Sequence, residues 1–97
     1  MGEREVLISP NEKAKAYLSH VSDRGFFGGK HDYYQIDVKK ILPTGAEFTI
    51  RNERIEAEDV PGSVDMTDVD QHVKWSRDST IVMYHFGDLK IRVDIPL

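Results

Sequence analysis

The chain has 97 residues, of which 39% are hydrophobic and 31% charged, a balance that fits one globular domain spanning residues 1–97 and excludes a disordered chain. It contains no cysteine, which excludes disulfide bonds and thiolate metal sites. The net charge is −4, and residues 46–97 carry eleven acidic but only six basic side chains, which argues against a broad phosphate-binding surface.

The N-terminal residues, MGEREVLISP, lack the basic and apolar regions of a secretory signal. No apolar run in the chain approaches the ~18 residues that a membrane-spanning helix needs. Together with the absence of cysteine, this predicts a cytoplasmic protein that does not bind membranes. Residues 5–8 are a candidate short first strand.

Residues 9–23 are predicted to form a helix. The tetrad Ser9-Pro10-Asn11-Glu12 matches a capping box, in which the first and last side chains each accept from the other residue's backbone amide. Apolar residues then recur at the spacing of one helical face, at Ala14, Tyr17, Leu18 and Val21. We expect the helix to end near Asp23, because Gly25 can adopt the positive φ that often follows a helix.

Two stretches after residue 32 alternate as strands do. In residues 33–42 apolar side chains occupy every second position, at Tyr34, Ile36 and Val38. Pro43-Thr44-Gly45 then predicts a turn. In the next stretch Phe48 and Ile50 share one face but Ile55 falls on the opposite parity, which predicts a bulge or tight turn near Asn52.

The C-terminal segment is predicted to be a β-hairpin. Residues 80–86 and 89–95 flank Gly87-Asp88, a two-residue connection that suits a primed turn. Such a turn places three apolar pairs on one face: Phe86 with Leu89, Tyr84 with Ile91, and Val82 with Val93. Residues 64–76 are ambiguous between a helical turn and a strand, and we favour a strand at Val73–Trp75.

These elements predict an α+β fold. One N-terminal helix would pack on a mostly antiparallel sheet of about four to five strands that ends in the C-terminal hairpin. Trp75 and Tyr84 lie among apolar alternations with few basic neighbours, so we expect them to be core residues of the sheet.

The loop of residues 24–31, RGFFGGKH, combines two adjacent aromatic residues, three glycines and flanking positive charge. Its candidate partner-binding residues are Arg24, Phe26, Phe27 and Lys30. Such a loop can present both phenylalanines to a groove on a protein partner. The alternative is a structural connection whose phenylalanines pack inward. The loop does not match a phosphate-binding P-loop, because arginine and histidine replace the required glycine and serine or threonine.

Residues 53–70 form an acidic segment with one basic residue, Arg54. Its candidate partner-binding residues are Glu53, Glu56, Glu58, Asp59, Asp65, Asp68 and Asp70. The segment is either a solvated face that maintains solubility or a recognition surface for a basic partner. The carboxylate spacing does not match an EF-hand calcium loop.

Catalytic and metal-binding patterns are absent from the sequence. The four histidines, His20, His31, His72 and His85, form neither H-x-x-x-H nor H-E-x-x-H, so we predict no metal and no other cofactor. His31 and Asp32 are adjacent, and on an extended chain their side chains would point to opposite faces, which does not suit a base and its orienting carboxylate. We therefore predict that the protein is not an enzyme.

The sequence favours a small acidic protein–protein interaction module, an adaptor or inhibitor that acts by surface contact. The expected partner is a protein with a basic surface, including one whose nucleic-acid-binding site the module would occupy. Direct nucleic-acid binding is not expected, and an exposed edge strand would also allow a homodimer. The alternative is a small ligand-binding protein or enzyme with a pocket between helix and sheet.

Overall fold

The protein folds as two antiparallel β-sheets. The computed structural model describes the backbone of residues 2–24, 30–60, 64 and 66–96 and the side chains of residues 4–22, 32–60, 64 and 66–96. Sheet A is a four-stranded meander in the order β1 (Gly2–Ile8), β2 (Ala14–Arg24), β3 (Lys30–Ile41) and β4 (Glu47–Glu56). Sheet B has the order β5 (Val73–Trp75), β6 (Ile81–Phe86) and β7 (Leu89–Asp94). Two 3₁₀ turns, Ala57–Asp59 and Val69–Gln71, lie between the sheets in sequence.

The predicted N-terminal helix is wrong, and so is the α+β class, because these residues form strand β2. A period of two explains the burial: Ala14, Ala16 and Leu18 are buried, and the residues between them are only half-buried. Tyr17, which the helical pattern placed on the core side, lies on the opposite face of the strand. In the described part of the chain, the two three-residue 3₁₀ turns are the helical segments, and no helix is long and apolar enough to cross a membrane.

The predicted capping box is the turn between β1 and β2. The Ser9 amide donates to the Ala14 carbonyl at 2.9 Å, and the Ser9 hydroxyl accepts from the Ala14 amide at 3.1 Å and donates to Asn11 Oδ1 at 2.7 Å. Glu12 has φ of 61°, in the left-handed region, which no helical interior permits. The polar side chains that favour a helix start therefore close a tight turn instead.

The C-terminal hairpin prediction is confirmed. Phe86 pairs with Leu89, Tyr84 with Ile91, and Val82 with Val93. The strand at Val73–Trp75 is also confirmed, and it pairs with β6. The turn after residue 42 is present as well, where the Gly45 amide donates to the Leu42 carbonyl at 2.8 Å.

The two sheets pack face to face and share one core. Alternate residues of β2 and β3 meet alternate residues of sheet B, and the largest fully buried side chains are Tyr84, Phe86, Leu18, Ile36, Val38, Val73 and Val82. Two side chains of sheet B also reach backbone carbonyls of sheet A. The Tyr84 hydroxyl donates to Tyr17 O at 2.9 Å, and Trp75 Nε1 donates to Leu7 O at 3.0 Å. Sheet B therefore lies against sheet A, and β4 contributes Ile55 to the shared core.

Candidate interaction surface

Strand β4 is a long and largely exposed strand at one edge of sheet A. Of its ten residues, Ile55 is buried and the others are half-buried or exposed. Phe48 is 57% exposed, more than any other large apolar side chain described. A strand normally buries one of its faces, but β4 contributes only Ile55 and the half-buried Ile50 to the core, and among the described strands it is hydrogen-bonded to β3 alone. Most side chains of β4, and the edge with which no described strand pairs, are therefore open to a partner.

A β-bulge interrupts β4. Val38 of β3 pairs with Arg51, whereas the next residue, Lys39, pairs with Thr49, so Ile50 is the extra residue. The bulge explains the shift in apolar parity seen in the sequence, and it lies two residues before the predicted position at Asn52. It also turns Ile50 toward the core, against which this side chain packs.

The carboxylates of β4 are paired with arginines of the same strand. Arg51 Nη2 lies 3.0 Å from Glu53 Oε2, and Arg54 Nε lies 2.9 Å from Glu56 Oε1. Each pair joins residues two apart, which share a face of the strand. Glu53 and Glu56, two of the predicted acidic residues, are therefore ion-paired within β4, and the strand presents alternating charge.

The remaining acidic residues lie at separate places. Glu58 and Asp59 are exposed on the 3₁₀ turn that follows β4, and no basic group among the described side chains lies within 4.0 Å of either carboxylate. Asp68 and Asp70 lie at the second 3₁₀ turn, which contacts β1 and β5 on the other side of sheet A, and Asp68 accepts from Gln71 Nε2 at 2.7 Å. Asp65 lies outside the described residues. The structure thus divides the acidic segment and leaves Glu58 and Asp59 beside β4.

The predicted loop site is described only at its base. Arg24 and Lys30 form the last backbone pair of the β2–β3 hairpin, while their side chains and all of Phe26 and Phe27 lie outside the described residues. The row of paired residues that contains Val21 and Tyr33 is the last one in which β1 and β4 take part. The β2–β3 hairpin extends three residue pairs beyond this row. The base of the loop therefore lies at the same end of sheet A as Glu56.

A cluster of charged side chains around Tyr17 covers the outer face of sheet A. The Arg4 guanidinium carbon lies 4.0 Å from the Tyr17 ring centroid, and the Tyr17 hydroxyl donates to Glu47 Oε1 at 3.1 Å. Lys15 Nζ lies 3.2 Å from the same carboxylate oxygen. Hydrogen bonds from Lys15 and Tyr17 lower the pKa of Glu47, and the same carboxylate raises the pKa of Lys15. The cluster joins the beginning of β4 to β2.

Sequence reasoning missed this cluster because it placed Tyr17 on the core face of a helix. The available signal was the alternation of Lys13, Lys15 and Tyr17 with Ala14 and Ala16, which is the pattern of a half-exposed strand. Small alanines made that pattern weaker than the helical one.

A cleft of about 630 Å³ opens at the other end of the sandwich. Three turns and the C-terminal segment line it, and its polar side chains are those of Asn11, Glu12, Lys13, Lys40, Asp78, Ser79 and Thr80. Lys40 Nζ donates to the Pro96 carbonyl at 3.2 Å. The alternative expectation of a pocket between a helix and a sheet is thus replaced by a cleft between the ends of two sheets.

Strand β4 with Glu58 and Asp59, hereafter the β4 surface, is therefore the candidate interaction site. No protein-family model, curated protein or solved structure matches this chain significantly.

Proposed function

We propose that the protein is a non-catalytic protein-interaction module that binds its partner through the β4 surface. The observation that carries this proposal is a ten-residue strand that lies at the edge of sheet A and buries one side chain. Exposed strand edges bind other chains readily, because their backbone amides and carbonyls are free to pair.

The chemistry of the surface indicates the kind of partner. Phe48 offers apolar contact, and Glu58 and Asp59 add negative charge at the far end of the strand. The arginines of β4 are already paired with carboxylates, so the net charge that a partner meets is negative. A partner with a basic surface is favoured, and the carboxylates would steer its approach.

The proposal is tested by capture of partners from the native cell lysate at low and high salt. A variant carrying Glu58→Lys and Asp59→Lys should lose a stoichiometric partner that the unmodified protein retains at low salt, because attraction becomes repulsion. The matched control carries Asp88→Lys and Asp94→Lys, the same charge change at exposed positions of the hairpin formed by β6 and β7. Capture that is equal for both variants, or absent altogether, would contradict the proposal.

A second candidate function is binding of a small apolar carboxylate in the cleft. Its volume falls in the range of ligand sites, and no carboxylate among the described side chains lies within 4.0 Å of Lys13 Nζ or Lys40 Nζ. Octanoate is a suitable probe, and saturable shifts of cleft amides in NMR spectra would support binding. These shifts should vanish in Lys40→Gln and persist in Lys74→Gln, which changes an exposed lysine of β5.

A further inference from the structure

We infer that β4 pairs antiparallel with β4 of a second copy, around a two-fold axis that passes through Asn52. This inference rests on the proposed function, since it names one occupant of the β4 surface. The result is a symmetric dimer in which two four-stranded sheets become one continuous sheet.

The edge itself favours β4 over the other edge strands. At ten residues it is longer than β1, β7 and β5, which have seven, six and three. Strand β1 is partly covered, because Trp75 Nε1 donates a hydrogen bond to the Leu7 carbonyl and the second 3₁₀ turn contacts the strand. Strand β4 has β3 on one side and, among the described residues, no neighbour on the other.

The charge pattern selects the register. A two-fold axis perpendicular to the sheet keeps equivalent faces together and places one residue opposite itself. An axis at Arg51, Glu53 or Arg54 would set identical charges directly opposite each other, which is destabilising. An axis at Asn52 instead sets Arg51 of each copy opposite Glu53 of the other. An axis at Ile55 would set no like charges opposite each other, but β4 ends at Glu56 and the ladder would be short.

The bulge then aligns the apolar residues. When Ile50 is counted as the extra residue, the ladder beyond the bulge places Ile55 of one copy opposite Phe48 of the other. The next pair sets Glu56 opposite Glu47, two carboxylates that are already ion-paired within each copy, with Arg54 and with Lys15. Both residues lie on the face of sheet A that is turned toward sheet B, as shown by the pairing of Phe48 with Lys40 and of Lys40 with Ala14, which is buried. Phe48, the most exposed large apolar side chain described, thus gains an apolar neighbour, twice per dimer.

The dimer leaves the acidic end of the surface free. Glu58 and Asp59 follow the last residue of β4, so they lie beyond the ladder in both copies. A basic partner could therefore bind each end of the dimer, and self-pairing and partner binding do not compete for the same carboxylates.

Sedimentation equilibrium of the purified protein over a wide concentration range tests the dimer. The unmodified chain should show a monomer–dimer equilibrium. Arg51→Glu alone and Glu53→Arg alone should each weaken dimerisation roughly tenfold or more, because each creates two like-charge contacts per dimer. The double variant that exchanges both residues restores the opposite charges and should recover most of the lost affinity.

Arg92→Glu is the matched control. Arg92 pairs with Asp94 two residues along edge strand β7, at 3.1 Å, so this variant breaks an equivalent exposed ion pair without touching β4. Its dimer affinity should equal that of the unmodified protein, and thermal melts should show that all variants fold. A chain that is monomeric at every concentration, or a dimer equally weakened by Arg51→Glu and Arg92→Glu, would overturn the inference. Salt-sensitive capture of a basic partner by a monomer would still support the proposed function.

Discussion

Tyr84 joins the two sheets by a single hydrogen bond at the centre of the core. Its ring is fully buried, and its hydroxyl reaches the Tyr17 carbonyl of β2 at 2.9 Å. Burial, with the Asp37 carboxylate as a lesser cause, raises the pKa of this hydroxyl well above its ordinary value of 10.0. The neutral hydroxyl is therefore the form that the folded protein requires.

Tyr84→Phe should lower the free energy of unfolding by about 1 kcal/mol at neutral pH, because the Tyr17 carbonyl loses its donor. The raised pKa adds a pH dependence. Below the ordinary value of 10.0 both folded and unfolded chains keep Tyr84 neutral, and above it the unfolded chain ionises first, so stability falls as pH rises. Urea unfolding on both sides of that pH should show a smaller loss for Tyr84→Phe than for the unmodified protein.

Asp78 holds the turn that leads into β6. Its carboxylate accepts from the hydroxyls of Thr80 and Ser76, each at 2.7 Å, and from the Thr80 amide at 3.2 Å. These hydrogen bonds, with that of the Thr80 hydroxyl as the largest cause, lower the pKa of Asp78 to about 2. The charged form is thus the one that stabilises the turn.

Asp78→Asn should lower the melting temperature at neutral pH. It should also reduce the decrease in melting temperature that the unmodified protein shows as the pH falls. A lowered pKa contributes stability above the ordinary value of 3.8, and this contribution is lost as pH falls toward about 2. Thermal melts across that interval measure the slope. Asp88→Asn, in the exposed turn between β6 and β7, is the control and should leave the slope unchanged.

At the scale of the elements, the sequence predicts the second half of the fold better than the first. The C-terminal hairpin follows from Gly87-Asp88 and a strict period of two, both local signals with one interpretation. Strand β2 carries two overlapping periods, since Ala14 and Leu18 fit both a helix and a strand. Pairing with β1 and β3 decides between them, and that contact is absent from a local window.

The same limit applies to the candidate site. The composition of residues 53–70 shows that they are acidic, but the ion pairs with Arg51 and Arg54 depend on the strand geometry that places residues two apart on one face. The acidic residues are divided between two sides of sheet A, and this division depends on the path of the chain between the sheets.

Glu12 offers a direct test of the turn against the helix. Its φ of 61° strains a residue that has a Cβ atom but does not strain glycine. In a capping box, by contrast, the Glu12 carboxylate would stabilise a helix. We expect Glu12→Gly to leave stability unchanged or raise the free energy of unfolding by up to about 1 kcal/mol, because relief of strain exceeds the added chain entropy. A loss of more than about 1 kcal/mol in urea unfolding would favour the helical interpretation instead.

For the whole molecule, the shared core between unequal sheets makes the fold depend on contacts distant in sequence. Leu18 on β2 is fully buried in a core that includes Val82, Tyr84 and Phe86 of sheet B. Leu18→Ala should therefore lower the free energy of unfolding by about 2–5 kcal/mol.

Unfolding followed by far-UV circular dichroism and by Trp75 fluorescence should give one coincident transition, because Trp75 links sheet B to β1. Separate transitions would show that the sheets unfold independently.

The position of β4 at the edge of sheet A also predicts how the molecule opens in its native state. Among the described strands its backbone pairs with β3 alone, so its amides should exchange with deuterium through local fraying, at lower free energy than those of β2 and β6. Those of its amides that point away from β3 should exchange almost as fast as in a peptide. If two copies pair along this edge, that second group becomes protected as protein concentration rises, while protection in β6 stays constant. Hydrogen exchange would then report the association state from within a single strand.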